Sequence, residues 1–300
     1  MLAGKVWLSF AAWNGADPRF LIIAELRAPR TLLAAIVGAW LGLSGAAMQG
    51  YLRNPLADPG LFGVSAAAAL GAVTSMFFGF GSAWLLPAFA LAGAAGAMAL
   101  LALLVGRSGS MIVFTLGGVI ISSIAGSLTA LAISLAPTPF AASQIITWLM
   151  GALTDRSWDD VMIALPLTAI GMAVLATTGR SLDALTLGEE AARSMGVDPA
   201  ALQRRIVIGV GLCVGAGVAA AGVIGFVGLI VPHLVRPLAG HRPSAILLPS
   251  ALGGALLVVV ADSLVRIAPT VSELRLGIAM SMLGGPFFLA LLLKLRRTLP

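Results

Sequence analysis

Long apolar runs broken by short charged segments dominate the pattern along the chain. Leu32–Tyr51 carries no charged residue, and Arg53-Asn54-Pro55-Leu56-Ala57-Asp58-Pro59-Gly60 ends it with two prolines and a glycine. Leu61–Val105 is uncharged for 45 residues. Because ~20 apolar residues cross ~30 Å of hydrocarbon, that run predicts two spans with a turn near Gly79–Ser82. After a polar turn at Arg107–Ser110, Met111–Ala136 spans again and Pro137 and Pro139 stop it. Gln144–Leu153 is predicted as a short surface helix ended by Asp155 and Arg156, and Val161–Thr178 as the next span. Ile206–Gly225, rich in small residues that let helices approach closely, is followed by spans at Ile246–Ile267 and Leu276–Leu293. Between them Phe226–Gly240 is short and interrupted by Pro232, His233, Arg236 and Pro237. Such a piece is tolerated only against protein or a cavity. Nine crossings result, this one being the weakest.

Two segments depart from the pattern. Residues 1–31 are mixed, with Asp17-Pro18 opening a short amphipathic helix through Phe20, Leu21, Ile22, Ile23 and Leu26. It is too short and too charged to span and suits the interface plane. The basic start and small-residue cleavage site of a signal peptide are not seen in it. The second is the charged interruption Gly179–Arg205, which reads as two short polar helices. Thr186 is placed to cap the first, with Glu189 completing a capping box, and Gly196 suits the left-handed residue that ends it. Asp198 caps the second, with Pro199 in its first turn. A compact, capped pair between spans is expected to be a surface that another protein pushes on.

Composition agrees with the pattern. The chain of 300 residues is 59% hydrophobic and 10% charged, with mean hydropathy +1.04. This excludes an ordinary soluble domain, and the runs do not alternate as barrel strands do, so an all-α polytopic membrane protein is expected, one transmembrane domain over residues 1–300 with a polar loop at 180–205. The net charge of +6 is then a topology signal. Arg53, Arg107, Arg180, Arg193, Arg204, Arg205, Arg236, Arg242, Lys294, Arg296 and Arg297 fall on one side. Lys5, Arg19, Arg27, Arg30, Arg156, Arg266 and Arg275 fall on the other, and eleven against seven puts the polar pair in the cytoplasm. No groove-reading motif accompanies the basic residues, so no nucleic-acid partner is expected. Lys5 and Lys294 are the only lysines, and neither lies in a phosphate-binding P-loop. If ATP drives the protein, a separate subunit binds it.

Few residues offer chemistry. Cys213 sits alone in an apolar span and reads as a small core residue. His233 reads as a hydrogen-bonded structural histidine rather than a metal relay. The eleven methionines are dispersed and read as gap filling. No catalytic residue, metal site or cofactor is expected in this chain. Asp262 lies four residues before Arg266, a spacing that favours a structural ion pair. Trp84, Trp148 and Trp158 fall near span ends, as interface anchors do.

Four stretches carry a family resemblance. Glu190-Ala191-Ala192 followed by Gly196 matches the E-A-A-x-x-x-G pattern of ABC importer permeases. RAPRTLLAAIVGAWLGLSGAAMQGYLRNPLADPGLFGVS (27–65), GVIGFVGLIVPHLVR (222–236) and LGIAMSMLGGPFFLALLLK (276–294) resemble signatures of the FecCD/BtuC family, the type II permeases for iron–siderophore, haem and vitamin B12. The resemblance runs from about Glu25 to Arg297. It implies a permease bundle that pairs with a second copy in the bacterial inner membrane. It further implies two ATPase subunits, which hold the ATP and magnesium, and a periplasmic binding protein that delivers a metal chelate. By position, Leu187, Gly188, Glu189, Glu190, Ala191, Ala192, Arg193 and Gly196 would couple to the ATPase. Arg27, Arg30 and Arg266 would dock the binding protein. Asn54, Pro55 and Leu56, with Arg107, Ser108, Gly109 and Ser110, would form the cytoplasmic gate. Such permeases usually have ten spans, one ahead of the R-x-P-R string; a start further upstream or a lost first helix accounts for the nine counted here.

Two other classes compete with this reading. A secondary transporter driven by an ion gradient predicts inverted repeats and paired ionisable residues at the bilayer midplane. The spans are almost free of carboxylates, which disfavours it. A membrane scaffold without transport is the other.

Overall fold

The computed structural model describes residues 4, 7, 8, 13, 15, 17–80, 84–106, 111–269 and 273–298. Among them there is no strand, and the apolar runs become helices. These are α1 (Ala28–Leu52), α2 (Val64–Phe77), α3 (Leu85–Val105), α4 (Met111–Ser134), α5 (Pro139–Leu149) and α6 (Trp158–Ala176). They continue with α7 (Gly179–Leu185), α8 (Glu189–Ser194), α9 (Pro199–Ala221), α10 (Val227–Ala239), α11 (Pro243–Ile267) and α12 (Leu276–Thr298). Among the described residues six helical stretches are long and apolar enough to cross a membrane, and α2, α10 and the first part of α12 are shorter apolar helices.

The N-terminal amphipathic segment is a correction. Instead of a separate helix in the interface plane, Ile22–Arg27 is a π-helical turn that runs straight into α1. The Trp158 indole N–H donates to the Ala24 carbonyl at 3.0 Å, fastening this turn to the start of α6. A second correction concerns Pro139. It stands in the first turn of α5 behind the Thr138 cap, so it starts a helix at 139 where the reading had it stop the preceding span.

Helices α1 and α9 form the centre, whereas α3 and α4 are mostly exposed. The tightest seam joins α1 to α11 antiparallel. Arg30 meets Asp262, while Gly38 abuts Gly254, Gly42 abuts Ser250 and Gly50 abuts Pro243, all in one register. Gly38 and Gly42 form a G-x-x-x-G, and Ser250 and Gly254 a matching small-x-x-x-small. A Cβ at Gly38 would run into the Gly254 backbone, so these backbones touch directly. Without a hydrophobic drive between helices in lipid, that close contact is what holds them. The small residues of α9 act differently and receive large side chains. Gly211 sits under Met98, and Gly217 under the Trp40 ring.

Two segments leave helical geometry inside the bundle. Gly228, near the start of α10, faces the Leu41 carbonyl, midway along α1, and Pro59 of the return segment, residues 53–63 between α1 and α2, reaches the same place. The return segment therefore runs from the end of α1 to about halfway through the bundle before α2 begins, and α10 begins at that same level. Phe226 precedes α10 with a left-handed φ of 68°, a costly conformation for a residue with a Cβ. Its ring lies over Gly284 of α12, where any Cβ would clash.

Candidate functional site

At one end of the bundle the chain between α6 and α9 builds a small exposed knob. Leu182 and Leu185 of α7 are buried, and Asp183 accepts hydrogen bonds from the Ser244 N–H at 2.8 Å and from the Ser244 hydroxyl. The knob is thereby locked to the first turn of α11. In α8, Ala192 is fully buried while Glu189, Glu190, Arg193 and Ser194 are exposed, and Leu187 beside them is 69% exposed. The residues expected to couple, Leu187–Arg193 and Gly196, come together here. Glu189 pairs with Arg193 at 2.8 Å along the helix.

Two details of this segment differ from expectation. The Thr186–Glu189 capping box is absent, because Thr186 ends α7 and its hydroxyl donates to the Asp183 carbonyl at 2.6 Å. Gly188, at φ 105°, stands at the N-cap of α8. The second polar helix is not separate either: Asp198 caps α9 by accepting the Ala200 N–H at 2.9 Å, and α9 runs on to Ala221 as one helix. Gly196 does take the left-handed conformation, at φ 84°.

The expected gate residues lie next to this knob. Arg53 ends α1 at φ 49°, and the Asn54 side chain accepts the Leu56 N–H at 2.9 Å, shaping a tight turn. Asn54 and Pro55 share a cavity of about 230 Å³ with Thr186, Arg236 and His241. Arg236 donates to Gln49 at 2.9 Å, and Gln49 donates to the Gly228 carbonyl at 3.2 Å, tying α1 to both ends of α10. Arg107, Ser108, Gly109 and Ser110 lie outside the described residues.

The opposite end holds a buried ionic cluster. Asp262, 1% exposed, accepts Arg30 Nε at 3.0 Å and Nη2 at 2.8 Å. The same carboxylate pairs with Arg266 Nε at 3.1 Å. Arg30 Nη1 also donates to Glu273 at 2.9 Å, and the Thr154 hydroxyl donates to the same Glu273 oxygen at 3.0 Å. Arg266 is 4% exposed, its Nη2 has only the Ser263 hydroxyl at 3.3 Å, and its Nη1 has no partner. Arg27, Arg30 and Arg266, the residues expected to dock a partner, are placed differently from one another. Two of the three guanidiniums are inside, spent on joining α1, α11 and the start of α12, and Arg27 alone is half-buried near the rim. The predicted Asp262–Arg266 pair is present, but the hydrogen bonds of Asp262 go to Arg30, a link between distant helices that spacing along one helix does not reveal.

Outside these clusters there is little chemistry. Cys213 is buried with its thiol 3.7 Å from the Thr168 carbonyl. His233 packs edge-on against Phe287, with ring centroids 5.8 Å apart, and its Nδ1 is buried without a partner, so the expected hydrogen bond is not made there. Among the described residues no cluster of three His, Cys, Asp or Glu could hold a metal.

Sequence reasoning passed over Asp58, Asp183 and the Gly38–Gly42 seam. The seam had a signal in its G-x-x-x-G spacing. Asp183 had none, because its partner Ser244 is 61 residues away.

Comparison with known proteins bears on the whole bundle. The model of the FecCD transport family matches residues 1–294. The ABC transporter permease protein YvrB of Bacillus subtilis (strain 168) is 39% identical over 94% of this chain and 81% of its own. The vitamin B12 import system permease protein BtuC of Vibrio cholerae is 38% identical over 98% of this chain and 89% of its own. The Fe(3+)-citrate import system permease protein YfmD of Bacillus subtilis is 38% identical, over 94% and 84%. Among solved structures, an inward-facing conformation of a metal-chelate type ABC transporter superposes with a TM-score of 0.88 at 32% identity, covering 96% of this chain and 92% of that one. With the helix order, the polar knob and the broken α10 in place along the full length, the chain belongs to the FecCD transport family.

Proposed function

We propose that this chain is the membrane-spanning permease of an ABC importer that moves a metal chelate across a bacterial inner membrane, working with a second copy of itself. It carries out no chemistry. Two ATPase subunits bind and hydrolyse ATP with magnesium, and the exposed face of α8, around Glu190 and Leu187, is where they grip. Movement there reaches the Asn54–Leu56 turn through Thr186, which lines the small cavity with Asn54 and Pro55, and reaches α11 through Asp183–Ser244. A binding protein delivers solute at the other end, with Arg27 at the rim, while Arg30 and Arg266 stiffen the surface from within. The expected contribution of rim charge is orientation and encounter rate more than tightness.

The observation that carries this reading is the likeness of the whole fold to a metal-chelate transporter at 32% identity. An iron–siderophore is the solute we put first, with haem and cobalamin as competitors; the relatives named for vitamin B12 and for ferric citrate import support an iron chelate and cobalamin alike. The test is uptake into liposomes by the assembled importer, offered labelled ferric siderophore, haem and cobalamin. One of them should accumulate only with ATP. Accumulation that ignores ATP and follows an ion gradient would overturn the proposal in favour of a secondary transporter.

A further inference from the structure

Helices α3 and α9 run side by side and antiparallel, with Met98 against Gly211 and Ala94 against Gly215. A groove of about 490 Å³ follows this seam from Gly106 and Ala200 at the knob end to Leu91 and Leu212. At 1.5 Å per residue, Ala200–Leu212 covers about 18 Å, close to the ~15 Å of hydrocarbon in one leaflet. The groove lies on the outside of the bundle, since Ala95, Ala99 and Ala102 on one wall and Ile208 on the other are exposed. Those alanines leave space along α3 that larger side chains would fill. Two polar side chains line the groove, Gln203 and Arg204, and both stand at the knob end; the other described lining residues are apolar or glycine.

Gln203 is only 6% exposed. Among the described residues its side-chain amide makes no hydrogen bond, yet it is not sealed away from the groove it borders. Buried polar groups are almost always paired, and an apolar helix laid over this one would leave it unpaired, at a cost. The Arg204 side chain is 68% exposed, and Asp198, 61% exposed, stands 3.9 Å from it. So loose a surface pair is worth little, and the guanidinium remains available to a second anion. The first turn of α9 adds the positive partial charge of a helix N-terminus. By the distribution of basic residues the knob end faces the cytoplasm, and the acidic lipids of that leaflet are drawn to arginines near its surface.

We infer that the α3–α9 groove seats one acidic phospholipid of the cytoplasmic leaflet, with an acyl chain along Ala95, Ala99 and Ile208, the phosphate at Arg204, and a glycerol ester oxygen accepting from the Gln203 amide. An apolar tail and a polar head joined at one end match a groove that is apolar along its length and polar at one end. The inference rests on the chain's place in the membrane and not on the solute it carries.

The test places the full chain with its ATPase subunits in nanodiscs of equal parts phosphatidylglycerol and phosphatidylcholine, extracts the complex in mild detergent, and counts the lipids that stay bound by native mass spectrometry. Wild type should keep one phosphatidylglycerol in preference to phosphatidylcholine. Arg204→Gln should lower that preference about fivefold, the worth of one arginine near an anionic surface. Gln203→Leu should reduce retention of both lipids by removing the hydrogen bond to the ester. Ala99→Trp, which fills the groove from an exposed position, should remove the bound lipid, whereas Leu100→Trp, on a neighbouring exposed face of α3 outside the groove, should keep it. Wild type that holds both lipids equally, a preference unmoved by Arg204→Gln, or full retention in Ala99→Trp overturns the inference. If Ala99→Trp instead separates two permease copies on size exclusion, the groove belongs to the second copy and the inference falls. ATP-driven uptake in a complex that retains no lipid would overturn this inference and leave the permease reading intact.

Discussion

Asp262→Asn tests how the outer end is held together. The amide keeps the shape of the carboxylate and removes its charge, so packing is nearly constant. Arg266, 4% exposed, is then left with one hydroxyl at 3.3 Å, whereas Arg30 keeps Glu273 at 2.9 Å. Removing one partner of a buried pair costs about 3–5 kcal/mol because the other charge is stranded. The stranded Arg266 should set that figure, with a smaller addition from Arg30. Unfolding by SDS in mixed micelles would measure it, for wild type, Asp262→Asn, Arg266→Met and the double variant. The double variant no longer buries the stranded cation, so the cycle should return a coupling of about 1–3 kcal/mol. High salt should change none of these values much, since buried pairs are little screened. A loss below about 1 kcal/mol for Asp262→Asn, or a strongly salt-dependent coupling, would refute the cluster as a buried tie and return both arginines to the surface.

Other outcomes follow from the same geometry. Gly38→Leu drives a side chain into the Gly254 backbone and should cost about 3 kcal/mol or prevent folding, while Gly96→Leu, with nothing within 4 Å, should be tolerated; thermal stability in detergent separates them. Glu190→Arg should abolish co-purification with tagged ATPase and leave the permease pair intact on size exclusion, and continued coupling of ATP to uptake in that variant would sink the assignment of α8. Asp183→Ala leaves the Ser244 N–H and hydroxyl unpaired at a half-buried joint, which should cost about 1–3 kcal/mol and lower uptake per ATP hydrolysed more than it lowers assembly. Arg27→Glu should weaken binding-protein docking and flatten its salt dependence, whereas Arg266→Met should act on stability instead.

Local rules succeeded wherever the cause was itself local. Asp198 before Pro199 capped α9, and Gly196 turned left-handed, because both depend on a few neighbouring backbone groups. The capping box went to Ser157 and Asp160 at the start of α6 rather than to Thr186 and Glu189. Both strings satisfy the pattern. At the second, α7 extends to Leu185 with Thr186 as its C-cap, so the hydroxyl is engaged backwards, on Asp183, before it can face α8. The arginines show the larger limit. Arg27 and Arg30 stand one turn apart in sequence and look equivalent. Only the antiparallel packing of α1 on α11 puts Asp262 against Arg30 and leaves Arg27 at the rim.

A polytopic helical bundle, the approximate run of its helices and one polar segment standing apart could all be read from the chain, because crossing hydrocarbon demands long uncharged helices and any charge must cluster between them. The chain also carried the family, through strings long enough to be specific. Which glycines are seams, which carboxylate holds two arginines, and that Asp58 and Ser122 line one cavity emerged from the packed helices alone. Those outcomes depend on groups tens to hundreds of residues apart meeting at ångström distances, and a one-dimensional pattern holds the periodicity of each helix but not the register between two.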